Sequence, residues 1–390
     1  MHLSELHIGI VGGAIGGASL ALLLARAGAR VSLFEKVDRA RGVGAGIAIA
    51  ENGLAVLDAL GLGEALAEAC TSVAGVRVCD ARGRTLFEPA TALAGRPLRI
   101  LMARRRDLYA LLSGALEVEP RVECHYGSEL EHASGDGTLR LRERGRLREL
   151  QTDLVVGADG VHSQVRASGD FGAHVSKPAI AYARGIAAAG LARSEEAWTA
   201  AGLFGSFALP DASYWYASLG ERAVQKAVAA RDLGAFRVAW ARAYPPADAL
   251  LGSVGSFDDV LINDVVRVRC RRFFSERRVL VGDAAHAMAP NLGQGANSAL
   301  VDAAVLRDAL MQAGDLASAL TAYDQRRRPK VEQVARTAAR LGALAEYTQP
   351  ILRLLRDRVL MPLAGRGDQA AMIRAVWQED PELLRAMASS

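Results

Sequence analysis

Cysteine is scarce in this chain, and the few that occur are scattered: Cys70, Cys79, Cys124 and Cys270 in 390 residues. With no CxxC pair and no metal-type spacing, we predict reduced thiols, no disulfide framework and no metal site. Apolar runs are also short, and none reaches the roughly 18 residues of a membrane-spanning helix. The first predicted strand begins close to Met1, so no signal peptide is expected. These absences favour a cytoplasmic protein without a membrane partner.

An excess of one charge is also missing, because 47 Lys and Arg face 43 Asp and Glu, for a net charge of +4. Arginines alternate with leucines over residues 140–148 around a turn at Gly145, which predicts a hairpin with a solvated arginine face. Interleaved aromatic residues are absent there, so we predict no nucleic-acid partner. Hydrophobic residues make up 51% and charged residues 23%, which indicates one large or two joined globular domains.

The N-terminal segment has the pattern of a nucleotide site. Residues 7–11 (HIGIV) predict a buried strand, residues 12–17 (GGAIGG) a glycine turn, and the Ala/Leu-rich run to about Ala27 a helix, which Gly28 ends. A second strand follows at 31–35 and ends in Glu35. Strand, glycine turn, helix and strand in this order predict a dinucleotide fold, with pyrophosphate at the helix N-terminus and ribose at Glu35.

One residue departs from the G-x-G-x-x-G pattern of such sites. Ala14 stands at the middle glycine, where the backbone should approach phosphate most closely. Gly12 is expected to allow the tight turn, and Gly17 the close packing of the helix on the strand. One methyl group is a modest obstacle, so the nucleotide site remains the prediction.

Two arginines further along could reach a phosphate. Arg41 precedes a glycine-rich loop (Gly42, Gly44, Gly46), and Arg105 precedes a predicted helix at 107–116. For Arg105, a solvated helix start is an equally good interpretation. Asn52 is predicted to cap a helix that runs towards Leu60.

Two later segments repeat the pattern of a strand that ends in an acid. Residues 153–166 (DLVVGADGVHSQVR) place Asp159 and Gly160 at a strand end, and residues 279–283 (VLVGD) place Asp283 at another. A loop with Pro290, Gly293 and Gly295 follows Asp283, and then a helix from about Ala296. This arrangement predicts that sugar-like hydroxyls bind Asp283 and that a flat ligand lies on the glycine-lined loop.

These three motifs, in this order, resemble the single-component flavoprotein aromatic hydroxylases, the para-hydroxybenzoate hydroxylase-like FAD monooxygenases. The stretches EKVDRARGVGAGI, ARRRDLYALL and AYDQRRRPKVEQV also match that family, and the resemblance covers the chain to about Leu341. It implies an α/β fold: a Rossmann-type FAD-binding domain with an inserted, mostly antiparallel β-sheet substrate domain and C-terminal helices.

The resemblance also implies residue roles. The ADP half of FAD would be held by Gly12, Gly13, Ala14, Ile15, Gly16, Gly17, Glu35 and Lys36. Its phosphates and ribityl chain would be held by Arg41, Arg105 and Asp283. The flavin ring would lie against Pro290, Gly293, Gly295, Ala296 and Asn297, with Asp159 and Gly160 serving FAD and the passing nicotinamide.

The implied reaction is hydroxylation of an aromatic or related cyclic small molecule, using NADH or NADPH and O2 through a flavin C4a-hydroperoxide. The helix from about Ala296 would stabilise the anionic reduced flavin. The catalytic base is not identified by the sequence. Arg184, Tyr214, Tyr216 and His286 are weak candidates, because sheet packing or a structural turn accounts for each of them as well.

The region 177–268 has short alternating strands, aromatic side chains and turn residues, which predict a lid over the flavin. Residues 316–344 predict an amphipathic helix, with a solvated basic run at 326–328. We also predict a monomer or homodimer. The tail is broken at Pro350, Pro362 and Pro381, and could close the pocket or form an interface. The predicted domains are FAD-binding (1–74, 100–176 and 269–345), substrate (75–99 and 177–268) and C-terminal helical tail (346–390).

Other functions fit parts of the pattern. A flavin-dependent halogenase is disfavoured, because its W-x-W-x-I-P motif is absent. An NAD dehydrogenase without flavin is disfavoured by the segment 282–297. A reductase or dehydrogenase of the same fold without oxygen transfer, and a non-catalytic FAD-binding protein, remain open.

Overall fold

The computed structural model describes residues 1–37, 46–93, 95–188 and 194–389. The strands in chain order are β1 His7–Val11, β2 Arg30–Glu35, β3 Gly46–Ile49, β4 Thr71–Val73, β5 Arg77–Asp80, β6 Thr85–Phe87, β7 Ala92–Leu93, β8 Arg96–Pro97, β9 Ile100–Arg104, β10 Val122–Tyr126, β11 Ser128–Ala133, β12 Thr138–Glu143, β13 Arg146–Gln151, β14 Leu154–Gly157, β15 His174–Ser176, β16 Ala181–Ala187, β17 Glu195–Thr199, β18 Gly202–Ala208, β19 Ser213–Ser218, β20 Leu261–Asp264, β21 Arg267–Arg269, β22 Phe274–Ser275 and β23 Arg278–Leu280.

The α-helices in chain order are α1 Ile15–Arg26, α2 Glu51–Ala59, α3 Gly63–Glu68, α4 Arg105–Glu117, α5 Gln164–Ala167, α6 Arg222–Ala229, α7 Leu233–Ala243, α8 Ala247–Gly252, α9 Asp283–His286, α10 Gly295–Gln312, α11 Leu316–Ala345, α12 Pro350–Leu355, α13 Met361–Gly365, α14 Gln369–Trp377 and α15 Pro381–Ser389. A π-helical turn, Arg356–Leu360, joins α12 to α13. Among the described residues, no helix has both the length and the apolar character needed to cross a bilayer.

The first sheet has the strand order β10-β2-β1-β14-β23-β22, and its neighbours are parallel except for the pair β22 and β23. Its central strands are buried on both faces, as a parallel sheet covered by helices requires. Helix α1 is almost wholly apolar where it packs on the sheet and on α10, whereas α10 also buries Asn297, Asp302 and Arg307 among its apolar residues. The α/β fold class predicted from the sequence is therefore confirmed.

A second sheet has the order β20-β16-β19-β18-β17-β5-β6, and all its pairs are antiparallel except that between β17 and β5. One face packs Phe204, Trp215 and Ala217 against helices α6 to α8. These three helices were not anticipated by the prediction of short strands over 177–268. The opposite face carries Tyr182, Tyr214 and Tyr216, as period-two alternation requires.

Three local expectations can be compared with the structure. The arginine-rich hairpin is confirmed, since β12 and β13 pair antiparallel around Arg144 and Gly145, both with positive φ. The prediction of a solvated basic run at 326–328 is wrong, because the Arg327 side chain is fully buried. The capping role for Asn52 is also wrong, because α2 begins one residue earlier and the Asn52 amide donates to Gln294 Oε1 and to the Trp377 carbonyl.

Candidate functional site

Three loops meet at the carboxyl edge of the parallel sheet. In register, Val11 at the end of β1 lies opposite Gly157 of β14, which lies opposite Leu280 of β23. Because the three strands end at one level, the glycine turn 12–17, the segment 158–160 and the segment 281–283 lie side by side. The structure thus brings together the three motifs that the sequence separates by more than a hundred residues each.

The first loop is closed by two glycines. Gly12 has φ of 102°, and a Cβ there would lie 2.4 Å from the Ala158 carbonyl oxygen of the neighbouring loop. A Cβ on Gly17 would lie 1.9 Å from the Gly12 carbonyl oxygen. A side chain at either position would push backbone against backbone, so both glycines are required for the turn to pack against the second loop.

Glu35 supports this turn from the end of β2. Its Oε2 accepts a hydrogen bond from the Gly13 N–H at 2.9 Å, and its Oε1 accepts one from the Val37 N–H at 3.1 Å. A carboxylate has about four acceptor positions, so two remain for ligand hydroxyls. Lys36 beside it is exposed.

Two helix N-termini face this edge without a side-chain cap. Helix α1 starts at Ile15 after the exposed Ala14, and α10 starts at Gly295 after Gln294, and neither preceding residue provides a capping hydrogen bond. The first amides of both helices therefore remain available to a ligand, with the positive end of each helix dipole beside them. The geometry matches what an anionic pyrophosphate and an anionic ring require.

Asp283 lies next to the start of α10. Its side chain is exposed, and its Oδ1 lies 4.0 Å from the Cβ position of Gly295. Pro290 and Gly293 are exposed on the same loop, and Gly293 has φ of 62°, a left-handed conformation that glycine adopts without strain. The loop therefore offers bare backbone and the exposed carboxylate of Asp283 to a ligand.

Asp159 braces the middle loop. Its Oδ2 accepts from the Gln164 N–H at 2.7 Å and the Val165 N–H at 3.2 Å, while its Oδ1 is buried without a hydrogen-bond partner among the described residues. Burial raises the pKa of this carboxyl, against the effect of its hydrogen bonds. Gly160, with φ of 75°, turns the chain away from it. Asp159 thus orders the loop through one oxygen, while no described residue donates a hydrogen bond to the other.

Asn297, which the sequence assigns to the flavin ring, is committed to the protein backbone. Its Oδ1 accepts from the Ala50 N–H at 3.0 Å, and its Nδ2 donates to the carbonyls of Ala48 and Gly293 at 3.0 and 2.9 Å. The side chain is fully buried, so only the backbone of Asn297 and Ala296 is left to face a ligand. Asn297 therefore joins the Pro290–Asn297 loop to β3 and to the start of α2.

Behind the third loop lies a buried charge cluster on α10. Asp302 accepts from the Gly282 N–H at 2.8 Å and from Arg327 Nε at 2.7 Å, and its Oδ2 lies 2.5 Å from His286 Nε2. Burial alone would raise the pKa of Asp302, but His286 and Arg327 lower it to about 2. His286, one of the four weak catalytic candidates, is thus held against Asp302 and packed on Phe273.

The second sheet places one row of side chains on the face opposite α6 to α8. Across neighbouring strands the register runs from Arg184 through Tyr216 and Gly205 to Glu196. A Cβ on Gly205 would lie 2.2 Å from Cζ of Tyr216, so the missing side chain is what lets the tyrosine ring lie across β18. The Tyr216 hydroxyl donates to Glu196 Oε2, and Trp198 Nε1 donates to Glu196 Oε1 at 2.6 Å.

Two ionisable side chains of this face, Glu196 and Tyr214, are buried. Burial raises the pKa of Glu196, although the two hydrogen bonds it accepts act in the opposite direction. Burial also raises the pKa of Tyr214, opposed by the nearby guanidinium groups of Arg184 and Arg105. The rings of Tyr214 and Tyr216 lie 5.9 Å apart, which confirms that they share a face. Arg184 is half-buried, and its Nε has no partner among the described residues.

The sequence assignments thus separate into groups. One group lies along one edge of the sheet and comprises Gly12, Gly13, Ala14, Ile15, Gly16, Gly17, Glu35, Asp159, Gly160 and Asp283. The Pro290–Asn297 loop lies beside Asp283. Arg105 is exposed near Tyr214, whereas Arg41 lies outside the described residues. The residues that the sequence reasoning missed are Glu196, Asp302 and Arg327. Asp302 offered one signal, a lone charge in an otherwise apolar helix stretch, whereas Arg327 within its basic run and Glu196 offered none.

Comparison with known proteins gives consistent matches. The family model described as FAD binding domain matches residues 5–338. An aurachin C monooxygenase/isomerase from Stigmatella aurantiaca is 29% identical over 91% of this chain and 94% of its own length. A 3-amino-4-hydroxybenzoate 2-monooxygenase from Streptomyces platensis is 30% identical over 94% of this chain and 95% of its own. HpxO from Klebsiella pneumoniae, solved with FAD and uric acid, has the same fold, with a TM-score of 0.82 at 19% identity over 96% of this chain and 98% of its own.

Proposed function

Because this chain belongs to the FAD binding domain family, we propose that it is a monooxygenase that uses NADH or NADPH and O2 to hydroxylate an aromatic or related cyclic small molecule. The match over residues 5–338, and relatives named as monooxygenases that are matched over 80% to 95% of their own length, confirm three predictions: the family, the FAD cofactor and the enzyme class. FAD, when bound, takes a hydride from the nicotinamide and activates O2 for transfer to the substrate ring.

The observation that carries this proposal is the convergence of the three strand-end loops. Two helix N-termini without a side-chain cap, the exposed carboxylate of Asp283 and the loop that Asp159 braces lie at the same edge. These groups fit the pyrophosphate, the ribityl hydroxyls and the flavin ring of FAD in turn. We assign the ADP half to the loop 12–17 with Glu35 and Lys36, the ribityl chain to Asp283, and the ring to the backbone between Pro290 and Asn297.

We further propose the domain division predicted from the sequence. Residues 1–74, 100–176 and 269–345 form the FAD-binding domain, 75–99 and 177–268 the substrate domain, and 346–390 the C-terminal tail. The membership of β5 and β6 in the second sheet supports joining 75–99 to 177–268. We place the enzyme in the cytoplasm, as a monomer or homodimer.

The test of the function is anaerobic reduction of the FAD-loaded protein by NADH or NADPH, with and without a panel of aromatic ligands, followed by admission of O2. We expect one ligand class to accelerate flavin bleaching many-fold and to appear in the product with one added oxygen. Reduction that yields only hydrogen peroxide with every ligand would favour a reductase without oxygen transfer. A flavin that neither nicotinamide reduces would favour a non-catalytic FAD-binding protein.

Within this function we assign the row Arg184, Tyr216 and Glu196 to the substrate. The half-buried guanidinium of Arg184 suits an anionic group, and the aromatic rings beside it suit a planar one. The Tyr216 hydroxyl would receive a proton from a ring O–H or N–H while its own proton passes to Glu196. The negative charge would then lie on the ring, which makes it a better nucleophile towards activated oxygen, and the net charge of the pocket would not change.

Glu196→Gln is therefore expected to lower the rate of product formation by roughly 10²-fold or more, with FAD binding unchanged, because the amide keeps the shape but accepts no proton. The measurements are the rate of product formation and the product formed per NAD(P)H consumed, as a function of pH. Glu195→Gln is the matched control, since Glu195 points to the opposite face and accepts from Arg77 and Tyr244. Equal product yields for the two variants across the pH range would remove Glu196 from the mechanism.

A further inference from the structure

The helical segment 350–366, which we call the outer segment, exposes most of its large apolar side chains and buries an arginine. Seven large apolar side chains in it are exposed: Ile351, Leu352, Leu354, Leu355, Val359, Leu360 and Leu363. The most exposed are Ile351 at 81%, Leu354 at 61% and Leu363 at 57%. The two side chains of the segment that are buried are Arg356, at 0%, and Met361, at 5%. An amphipathic helix that packed only on its own protein would turn its leucines inwards and its arginine outwards.

Arg356 fixes this orientation. Its Nη1 donates to the carbonyls of Leu344 and Ala345, each at 3.2 Å, and its guanidinium lies 5.2 Å from the centre of the Trp198 ring. Its Nε also donates to Asp357 at 2.6 Å. The segment is therefore attached to the end of α11 and to the second sheet by a buried cation, and its leucine surface is held outwards rather than left loose.

The charge of the outer segment decides whether a second copy of the chain or an anionic lipid surface covers its leucines. Besides the leucines, its surface carries the exposed Arg358 and Arg366 and the half-buried Arg353, and its one carboxylate, Asp357, is already paired with Arg356. A two-fold contact between copies of this chain would bring this basic surface against the same basic surface of the second copy, with no free carboxylate in the segment to neutralise it. An anionic lipid surface offers both acyl chains for the leucines and negative headgroups for the arginines.

We propose that the outer segment is a docking surface for an anionic membrane, on which it lies in the headgroup plane. Helix α12, the π-helical turn and α13 form a continuous helical stretch of about 24 Å, long enough to lie along the interface. This revises the expectation of no membrane partner, which rested on the lack of a spanning segment, and it assigns the tail that the sequence left open. It does not depend on which substrate the enzyme takes.

The experiment is co-sedimentation of the FAD-loaded protein with vesicles of phosphatidylcholine alone or with phosphatidylserine added, at low and high salt. We expect binding to the anionic vesicles that weakens with salt and falls roughly tenfold or more in the double variant Leu354→Glu, Leu363→Glu. Leu147→Glu is the matched control, since Leu147 is 59% exposed on β13, and it should bind as the unchanged protein does. Flavin content and circular dichroism verify that each variant is folded.

Two results would overturn the proposal. One is equal sedimentation with and without anionic vesicles. The other is a concentration-dependent dimer, seen by analytical ultracentrifugation and abolished by the double variant, without lipid binding, which would assign the outer segment to a second copy of the chain.

Discussion

Gly17→Ala is expected to weaken FAD binding roughly 100-fold or more, because the new methyl group would lie 1.9 Å from the carbonyl oxygen of Gly12. Neither partner in this contact is a flexible side chain. Relief requires the helix start to move away from the turn, and Gly12 itself cannot yield, since it lies close to the Ala158 carbonyl of the second loop. The displaced amides are those assigned to the pyrophosphate, so the loss should fall on cofactor affinity. The measurement is the dissociation constant for FAD, from quenching of its fluorescence on adding apoprotein.

The matched control is Gly114→Ala. Gly114 lies within α4, and a Cβ there meets nothing within 4 Å. Alanine is the better helix former by roughly 1 kcal/mol, so this variant should bind FAD normally and be slightly more stable. If both variants retained FAD equally, the close packing of helix and turn would not be what organises the site.

The sequence predicted the parts of the site that are built from local backbone. Glycine turns, strand ends and helix starts have short-range signals, and for that reason the turn at residues 12–17 and the strand ends at Asp159 and Asp283 could be predicted from the sequence. Gly28 ended its helix where predicted, and α11 differs from the predicted 316–344 by one residue.

Contacts between distant side chains could not be predicted in the same way. Arg327 reads as one of three solvated arginines, yet its side chain alone of the three is fully buried, because its position on α11 faces α10. Neighbouring Arg326 and Arg328 bind Glu379 and Asp324 nearer the surface. Which of three adjacent helical positions points inwards depends on the packing partner, and hydrophobic periodicity in a basic run gives little guidance.

Asn297 and Glu196 illustrate the same limit at the site itself. Asn297 carries the sequence signature of a ring-lining residue but uses its amide to join Gly293 to the segment 48–50. Glu196 looks like an ordinary strand residue, and only the register of three strands and the gap at Gly205 show that it meets Tyr216. Both roles depend on pairings between segments far apart in the chain.

Asp302→Asn is expected to lower the free energy of unfolding by about 3–5 kcal/mol, because it leaves the fully buried Arg327 guanidinium without an anionic partner. The amide can replace the acceptor for the Gly282 N–H but not the charge. Since Gly282 precedes Asp283, we also expect faster loss of FAD from this variant. Chemical denaturation at saturating FAD, followed by circular dichroism and flavin fluorescence, measures both effects.

Asp308→Asn is the control on the same helix. Asp308 is partly exposed and lies 3.8 Å from Arg326, which also binds Glu379, so its loss should cost at most about 1 kcal/mol. A double variant, Asp302→Asn with Arg327→Met, should be more stable than Asp302→Asn alone, because no buried cation remains. Losses of equal size in Asp302→Asn and Asp308→Asn would show that the buried pair is not what holds the third loop.

The same aspartate gives the stability of this protein a defined dependence on pH. The pKa of Asp302 is about 2 in the folded chain and lies below its usual value of 3.8, so the folded state binds fewer protons than the unfolded state between these values. Its contribution, about 2 kcal/mol, is therefore complete above about pH 4 and is lost as the pH falls towards 2. Unfolding free energies measured between pH 2 and pH 6 should fall more steeply on acidification for the unchanged protein than for Asp302→Asn. Parallel curves would mean that the aspartate titrates alike in both states, and the cluster of His286, Asp302 and Arg327 would then not stabilise the ionised carboxylate.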